Sequence, residues 1–509
     1  MAHVVLIRPP IYFRLSSYSV VLSMPIAVAY LAANLRRFGH TVDIIDGIGE
    51  AIDQVGQTEI PKVFFRGLSH QQILERIGDN PDVIGISAMF TADWPQLTRL
   101  VWQIRQKYPA VPVLIGGEHA TATADKIVGQ LPKNTFIALG EGEQTIVDFT
   151  KAVESNGSLS TVPGLVFLQD GEVRYSPQPQ RAKIRELPWP AWDLVDLEPY
   201  MGDRDGYGVA RGRSIAILAS RGCSKKCRFC SSARFWKYHQ EFRDPDDVVD
   251  EIIHYVQAYQ IVDFHFIDLN LVVRPKWVKD FCNLLIDRNV NVTWQLPTGV
   301  RTEVLSKELL ELMHAAGCRN LTLSPESGSW RTLLSIKKPL DIEKFLDLVR
   351  NATQVGIHVK CNIIVGFPDE NWADILQTIK FTMRLALAGA DDVGIFVYAP
   401  LPGSDIYKEL EKMGMVLSEW DDSDNILAYM DVTSLASASM NVDAKYLRLA
   451  QVGNMAAFYQ LGFATHPWRM ARFVKNAILK RSDTVFEQRV LGWLRRVWLA
   501  SSRSLLLRH

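Results

Sequence analysis

Residues Arg221-Gly222-Cys223-Ser224-Lys225-Lys226-Cys227-Arg228-Phe229-Cys230 carry three of the six cysteines of the 509-residue chain, at C-x3-C-x2-C spacing. One short loop therefore offers three thiolates and no fourth. An iron-sulfur cube ordinarily takes four cysteine ligands, so three leave one iron with an open position for a small molecule. A structural zinc site competes for the same thiols, but it wants four ligands in a closed tetrahedron. No second Cys or His pair follows at zinc-ribbon spacing, which favours the cluster. Cys282, Cys318 and Cys361 stand alone in apolar or amphipathic segments, where a free cysteine serves as a small core residue.

With Phe229 just before the third cysteine and the strand-like Ser214-Ile215-Ala216-Ile217-Leu218-Ala219 ahead of the loop, the stretch resembles the signature of radical S-adenosylmethionine (SAM) enzymes. The resemblance implies a [4Fe-4S] cluster on Cys223, Cys227 and Cys230, its open iron chelated by the amino and carboxylate groups of SAM. It also implies an external electron donor of flavodoxin or ferredoxin type. An electron then cleaves SAM to methionine and a 5′-deoxyadenosyl radical, which takes hydrogen from a substrate. The protein positions and shields, and the cofactor carries the hard step.

Downstream, helical and strand-like segments alternate. Val248 to Tyr259 precedes His265-Phe266-Ile267-Asp268-Leu269-Asn270, and Lys307 to Ala316 precedes Leu321 to Ser329. Ile342 to Val355 precedes Val359 to Pro368, and Trp372 to Leu387 precedes Asp392 to Tyr398. The rhythm predicts parallel strands with covering helices, a partial α/β barrel of TIM type with its site at the strand C-termini. By resemblance, Glu326-Ser327-Gly328-Ser329 matches the family's E-S-G-S segment near the methionine and ribose of SAM. Asp268 and Asn270 take the place of its second-strand polar motif, and Ile364-Val365-Gly366-Phe367-Pro368 that of the strand lining the adenine. Phe229, Asp268, Asn270, Glu326, Ser327 and Gly366 are therefore the expected SAM contacts. Taken singly, each is also an ordinary strand-end turn residue.

The first 150 residues read as a doubly wound, Rossmann-like α/β unit. Strands are expected at Val4 to Ile7, Thr41 to Asp46, Asp82 to Ser87, Val113 to Gly117 and Thr135 to Gly140, with helices at Pro25 to Phe38 and Trp94 to Tyr108. Such a sheet binds its ligand beyond the strand C-termini, where Ser87, Gly116-Gly117-Glu118-His119-Ala120-Thr121 and Gly140-Glu141-Gly142-Glu143 stand. No G-x-G-x-x-G fingerprint or P-loop is present. The segments resemble instead the cobalamin-binding domain fused ahead of many radical SAM enzymes, with Ser87, Gly116, Gly117, His119, Gly140, Glu141 and Gly142 as its expected contacts. The D-x-H-x-x-G run that supplies a lower cobalt ligand in many cobalamin proteins is missing. That fits a base-off cobalamin without a histidine ligand, or a domain that has lost its ligand, since a fold does not guarantee one.

These units set the expected organisation: a cobalamin-binding-like domain over 1–150, a connecting segment with a small β element over 151–205, the barrel over 206–410 and a mostly helical region over 411–509. In the connecting segment Asp170-Gly171 marks a hairpin turn, and Leu187-Pro188-Trp189-Pro190-Ala191-Trp192-Asp193 a stiff strap. Met1-Ala2-His3 runs straight into a strand and no long apolar span follows. With isolated thiols and an oxygen-sensitive cluster, the expected compartment is the reducing cytoplasm.

Net charge is zero, yet from residue 441 onward twelve Lys and Arg face three acidic residues. Among them Arg469, Arg472, Lys475, Arg495 and Arg496 alternate with Trp468, Val474, Ile478, Trp493 and Trp498. A helix with apolar and cationic sides fits peripheral contact with the inner face of an anionic membrane; an amphipathic C-terminal bundle fits equally. No nucleic-acid partner is expected. The resulting reading is a cobalamin-dependent radical SAM methyltransferase acting on an unactivated carbon of a small-molecule or lipid-like substrate. One SAM would methylate cobalamin and another would yield the radical. A cyclase or oxidative rearrangement enzyme without methyl transfer and a non-catalytic cobalamin-binding or sensing protein remain open. A methylthiotransferase is disfavoured, because no N-terminal cysteine trio exists for a second cluster.

Overall fold

The computed structural model describes residues 1–17, 20–202, 206–416, 433 and 437–492. His3–Arg8 is the strand next to one edge of a seven-stranded sheet, flanked in parallel by Thr41–Asp46 at that edge and Val83–Ser87 on its inner side. Its continuous apolar run Val4-Val5-Leu6-Ile7 is fully buried because helices cover both faces. Ile26–Arg37 lies on one face through Val28, Ala32 and Leu35, and Trp94–Lys107 on the other through Leu97, Leu100 and Ile104. Val113–Gly116 and Thr135–Ala138 extend the parallel order beyond Val83–Ser87. Strand order therefore reverses between His3–Arg8 and Val83–Ser87, which puts the expected ligand crevice above their C-terminal ends.

The hairpin Leu165–Gln169 and Glu172–Tyr175 does not stand apart as a linker. It turns at Asp170-Gly171, both with positive φ, and pairs antiparallel with Thr135–Ala138 as the last two strands of the N-terminal sheet. A second small sheet, Ile11–Phe13, Phe64–Arg66 and Val55–Gln57, carries no clear sequence signal.

The second sheet has six parallel strands in chain order: Ser214–Ile217, Asp263–Phe266, Thr293–Val300, Cys318–Glu326, His358–Val365 and Asp392–Val397. It is an open barrel wall with helices outside. One whole round is absent from the sequence-based pattern, the helix Pro275–Asp287 and the strand Thr293–Val300. Pro297 and Gly299 inside that strand look like breakers, and the structure absorbs them in a register shift between Leu296 and Val300. The second strand also ends at Phe266, so Asp268 and Asn270 lie in the loop beyond it.

The largest apolar core runs through the barrel and takes in Ile26, Ala29 and Tyr30 of the N-terminal unit together with Trp192 of the strap. The amide of Ala191 donates to the carbonyl of Ala29 at 3.0 Å, and Trp189 donates to Asp247 at 2.9 Å. The strap thus ties the two sheets together. At the other end, Ala444–Thr465 packs on the outer strand Asp392–Val397, and the backbone amides of Val485 and Phe486 cap Asp392 at 2.7 and 3.0 Å. Of the cationic side expected there, Arg469 and Arg472 turn inward instead, onto Asp391 and Glu487. Trp493, Arg495, Arg496 and Trp498 lie outside the described residues.

Candidate functional site

A short strand, Ser220–Gly222, pairs antiparallel with Gln240–Phe242 and lifts the cysteine loop off the C-terminal end of the first barrel strand. Gly222 has φ of +85°, and a Cβ there would collide with the backbone of His239, so the residue before Cys223 must be glycine. The loop is pinned at its far side. Arg228 donates its amide to Ile336 O at 3.1 Å and its guanidinium to Ser335 O at 2.8 Å and Glu409 at 2.5 Å, while Ile406 N reaches Arg228 O at 3.1 Å. Phe229 packs edge-on against Phe367, ring centroids 5.7 Å apart, within a cluster of Leu333, Ile336 and Tyr398. Its ring is committed to holding the loop.

Cys223, Cys227 and Cys230 are half-buried free thiols. Burial pushes Cys230 up to about 11. Burial also raises Cys227, although Lys338 and Arg301 pull it down, and Arg301 Nη1 stands 3.9 Å from its sulfur. Three unpaired thiols on one rigid loop beside two cations suit a thiolate-bound anionic cluster. Iron must displace a proton to bind there.

The expected SAM contacts gather round this loop but divide in role. Asp268 does not present its carboxylate to a ligand: it accepts from the amide of Ser220, from Ser220 Oγ at 2.6 Å and from Ala219 N at 3.2 Å. Burial raises it to about 6, against the pull of these donors. It fixes the root of the loop. Asn270 accepts from Arg301 N at 3.2 Å, and its Nδ2 is buried with no partner among the described residues; it is the donor a polar ligand would satisfy. Glu326 sits at φ of +66° and holds Lys338 Nζ at 2.6 Å. Such a conformation in a non-glycine residue marks a site under constraint.

Ser327 is spent within the protein, 2.9 Å from Thr378 Oγ1 and 3.1 Å from the amide of Ser329. Gly366 adopts φ of +83°, and its amide donates to Glu370 at 2.6 Å. Burial lifts Glu370 to about 7. Arg301, Lys338 and Glu370 contact Cys227, Glu326 and Gly366 respectively, and the sequence does not single them out. Arg301 follows the strand disguised by Pro297 and Gly299, and neither Lys338 nor Glu370 belongs to a spaced motif.

At the facing edge, Ser87, Gly116 and Gly140 line the C-terminal ends of three parallel strands. Gly117 has φ of +126°, and a Cβ there would come within 2.6 Å of Ala88 O. Gly140, at φ of +71°, has open space beside it and donates its amide to Thr121 Oγ1 at 2.9 Å. Of these glycines only Gly140 has open space where a Cβ would stand; at Gly116 it would touch Ala138 Cβ at 3.7 Å and at Gly142 Leu31 Cδ2 at 3.4 Å. Gly142 begins the helix Gly142–Glu154, and burial raises the preceding Glu141 to about 7.

His119 is not part of this surface. Its ring is buried against Trp94, with centroids 5.1 Å apart, and its nitrogens lie 3.0 Å from Thr91 Oγ1 and 3.4 Å from Thr123 Oγ1. Burial lowers it to about 3. The ring is packed in the core, unlike the strand-end position expected of a cofactor contact. His40 precedes the strand Thr41–Asp46 and so lies at the opposite end of the sheet. Neither is placed to ligate cobalt.

The two edges meet. Glu118, next after Gly117, accepts from Ser231 Oγ and, at 3.1 Å through each oxygen, from Ser232 Oγ. These serines directly follow Cys230. Arg221, two residues before Cys223, forms a buried pair with Glu143 at 2.5 Å and lies 4.8 Å from the centre of the Tyr30 ring. Beside this seam opens a cleft of about 520 Å³ lined by Glu141, Arg181, Arg221, Trp236 and Glu241 among others. Neither the cysteines nor Gly116, Gly117 and Gly140 line this cleft; the cysteine loop and the glycine edge are joined through Glu118 and the two serines.

Several known proteins are similar to this chain in sequence or in fold. The chain is 25% identical over 97% of its length to an uncharacterized methyltransferase of Pyrococcus horikoshii, covering 98% of it. It is 28% identical over 77% of its length to the cytidylyl-2-hydroxyethylphosphonate methyltransferase of Streptomyces wedmorensis, covering 78% of that protein. An anaerobic magnesium-protoporphyrin IX monomethyl ester cyclase of Rubrivivax gelatinosus is 27% identical over 76% of the chain and 66% of the cyclase.

Two solved structures share the fold. The cobalamin-dependent SAM radical enzyme OxsB superposes with a TM-score of 0.69 at 16% identity, over 98% of this chain and 75% of that one. The radical SAM methyltransferase TsrM of Kitasatospora setae, with cobalamin and [4Fe-4S] cluster bound, gives 0.64 at 17% identity, over 81% and 78%. The B12 binding domain family matches residues 20–150 and the Radical SAM superfamily residues 217–382. The chain therefore belongs to the cobalamin-dependent radical SAM enzymes, which join a B12-binding domain to a radical SAM domain and use a [4Fe-4S] cluster, SAM and cobalamin.

Proposed function

We propose that this enzyme methylates an unactivated carbon of a small-molecule substrate held at the seam between its two sheets. The observation that carries the reading is the pair of hydrogen bonds that Ser231 and Ser232 donate to Glu118, which sets the glycine edge directly against the last cysteine. When bound, the cluster supplies the electron that cleaves SAM, and cobalamin carries the methyl group. Cys223, Cys227 and Cys230 would hold the cluster, Asn270 and the Glu326 and Gly366 turns would line SAM, and Gly116, Gly117, Gly140 and Gly142 would let cobalamin approach. Asp268 and Arg228 keep the loop from moving relative to the barrel. Arg221, Glu143 and Glu118 keep the two edges in register. With substrate and cofactors bound, the site would have to keep water away so that a reactive carbon meets the intended partner. An external electron donor of flavodoxin or ferredoxin type would feed the cluster.

The test is anaerobic reconstitution with SAM carrying an isotopic methyl label, followed by mass spectrometry of a treated cell extract. A product that gains one labelled methyl, with 5′-deoxyadenosine formed alongside, is expected. The cyclase relative favours a second reading, oxidative ring closure. A product with an unchanged carbon count would select it. Absence of SAM cleavage after reduction would remove both.

A further inference from the structure

The helix Trp468–Leu479 is turned inside out. Three of its polar residues face the protein: Arg469 donates to Gly389 O at 2.5 Å, Arg472 pairs with Asp391 at 2.9 Å and Glu487 at 2.7 Å, and Asn476 donates to Asp483 at 2.8 Å and Glu487 at 2.7 Å. Phe473 packs inward on Phe486, but five other apolar residues face away, with Trp468 61%, Met470 48%, Val474 51%, Ile478 75% and Leu479 52% exposed. Met470, Val474 and Ile478 recur every four residues and so share one side. Trp468 and Leu479 flank them. An amphipathic helix on a globular protein ordinarily does the reverse, and single exposed apolar residues are common where a contiguous stripe is not.

We propose that this outer face docks on an anionic lipid surface. The helix carries no acidic residue; exposed Lys475 follows Val474 and exposed Lys480 follows Leu479, while Arg481, also exposed, donates to Asn476 Oδ1 at 3.0 Å. Tryptophan and aliphatic side chains with a lysine and arginine rim are what a helix lying in the plane of a membrane interface presents. At twelve residues the helix is about 18 Å long, and among the described residues no helix is long and apolar enough to cross a membrane. The inward ion pairs anchor it to the barrel's outer strands, so that docking would hold the whole enzyme against the surface.

Co-sedimentation of the full-length protein with vesicles of phosphatidylcholine alone, and with phosphatidylglycerol added, tests this. The protein is expected to pellet with the anionic vesicles, and less so as salt screens the surface charge beyond about 8 Å. Val474→Ser combined with Ile478→Ser is expected to reduce binding about tenfold or more, since burying one such side chain is worth a decade. Lys475→Glu should reduce it less. All three side chains are exposed, and an unchanged thermal unfolding profile will show that the fold is kept. Wild type that stays in solution with both vesicle types overturns the proposal, as does equal pelleting of wild type and the double serine variant. A dimer that this variant converts to monomer, without vesicle binding, would instead make the face a contact between copies and overturn the lipid assignment.

Discussion

At the barrel edge the reactive groups are side chains, Cys223, Cys227 and Cys230, held by Asp268, Arg228 and Phe229. The facing edge of the N-terminal sheet offers mainly backbone, at Gly116, Gly117 and Gly140. The difference follows from what each ligand needs. A cluster is held by covalent thiolate bonds whose donors must sit at fixed spacing. A broad ring system is held by shape, which many sequences supply as long as no Cβ intrudes. One edge should therefore fail completely when its donors are removed, and the other gradually.

The largest effect is expected from replacing Cys223, Cys227 and Cys230 together with Ala. Iron content and 5′-deoxyadenosine formation should both fall to background, while cobalamin binding to the N-terminal unit persists. Iron analysis, product chromatography and the cobalamin absorption spectrum check the three parts. Retained iron in the triple variant would break the comparison at its stronger side. Replacing Cys282, Cys318 or Cys361 should leave iron untouched and cost only packing, because all three are buried in the barrel core.

A smaller effect is expected where the two edges join. Glu118→Ala leaves Ser231 and Ser232 without their acceptor, a loss of about 1–3 kcal/mol if the hydroxyls stay buried. Cluster and SAM cleavage should survive, but labelled methyl transferred per 5′-deoxyadenosine should fall about tenfold, which corresponds to roughly 1.4 kcal/mol of misalignment. Glu118→Gln keeps an acceptor and should recover most of that ratio. Equal loss of both products would mean that Glu118 acts on the cluster loop alone.

The same contrast explains how much of the molecule is legible in its sequence. The cysteine spacing and the alternating helices and strands are local signals, so the barrel and its thiols can be read directly from the order of residues. One round escapes because Pro297 and Gly299 mimic a loop, and Arg301 is hidden with it. Lys338 reaches Glu326 from a turn twelve residues on, a juxtaposition no motif encodes. Asp170-Gly171 is legible as a hairpin turn, yet the hairpin's place on the N-terminal sheet depends on pairing with Thr135–Ala138, a distant partner. Asp268 stands out in the sequence as a polar residue at a strand end, but its orientation depends on a backbone contact to Ser220.

His119 shows why the glycine edge is harder to read. Adjacent helical residues point about 100° apart, so Glu118 reaches the seam while His119, one position on, turns into the core against Trp94. The smallest predicted effect follows from that turn. Because burial lowers its folded-state value to about 3 from 6.5, the unfolded chain takes up a proton that the folded chain refuses. Its stabilising contribution is therefore complete above about pH 6.5 and is lost as pH falls toward 3. At about pH 5.5 the loss amounts to roughly 1.4 kcal/mol. His119→Gln can keep a hydrogen bond to Thr91 without titrating, so its thermal unfolding temperature should decline less than that of the wild type between about pH 7.5 and 5.5. Electron paramagnetic resonance of bound cob(II)alamin should be the same in both proteins and show no nitrogen splitting from an axial imidazole. Splitting in the wild type that disappears in His119→Gln would put this histidine on the cobalt and require the helix Glu118–Ile127 to rearrange when cobalamin binds.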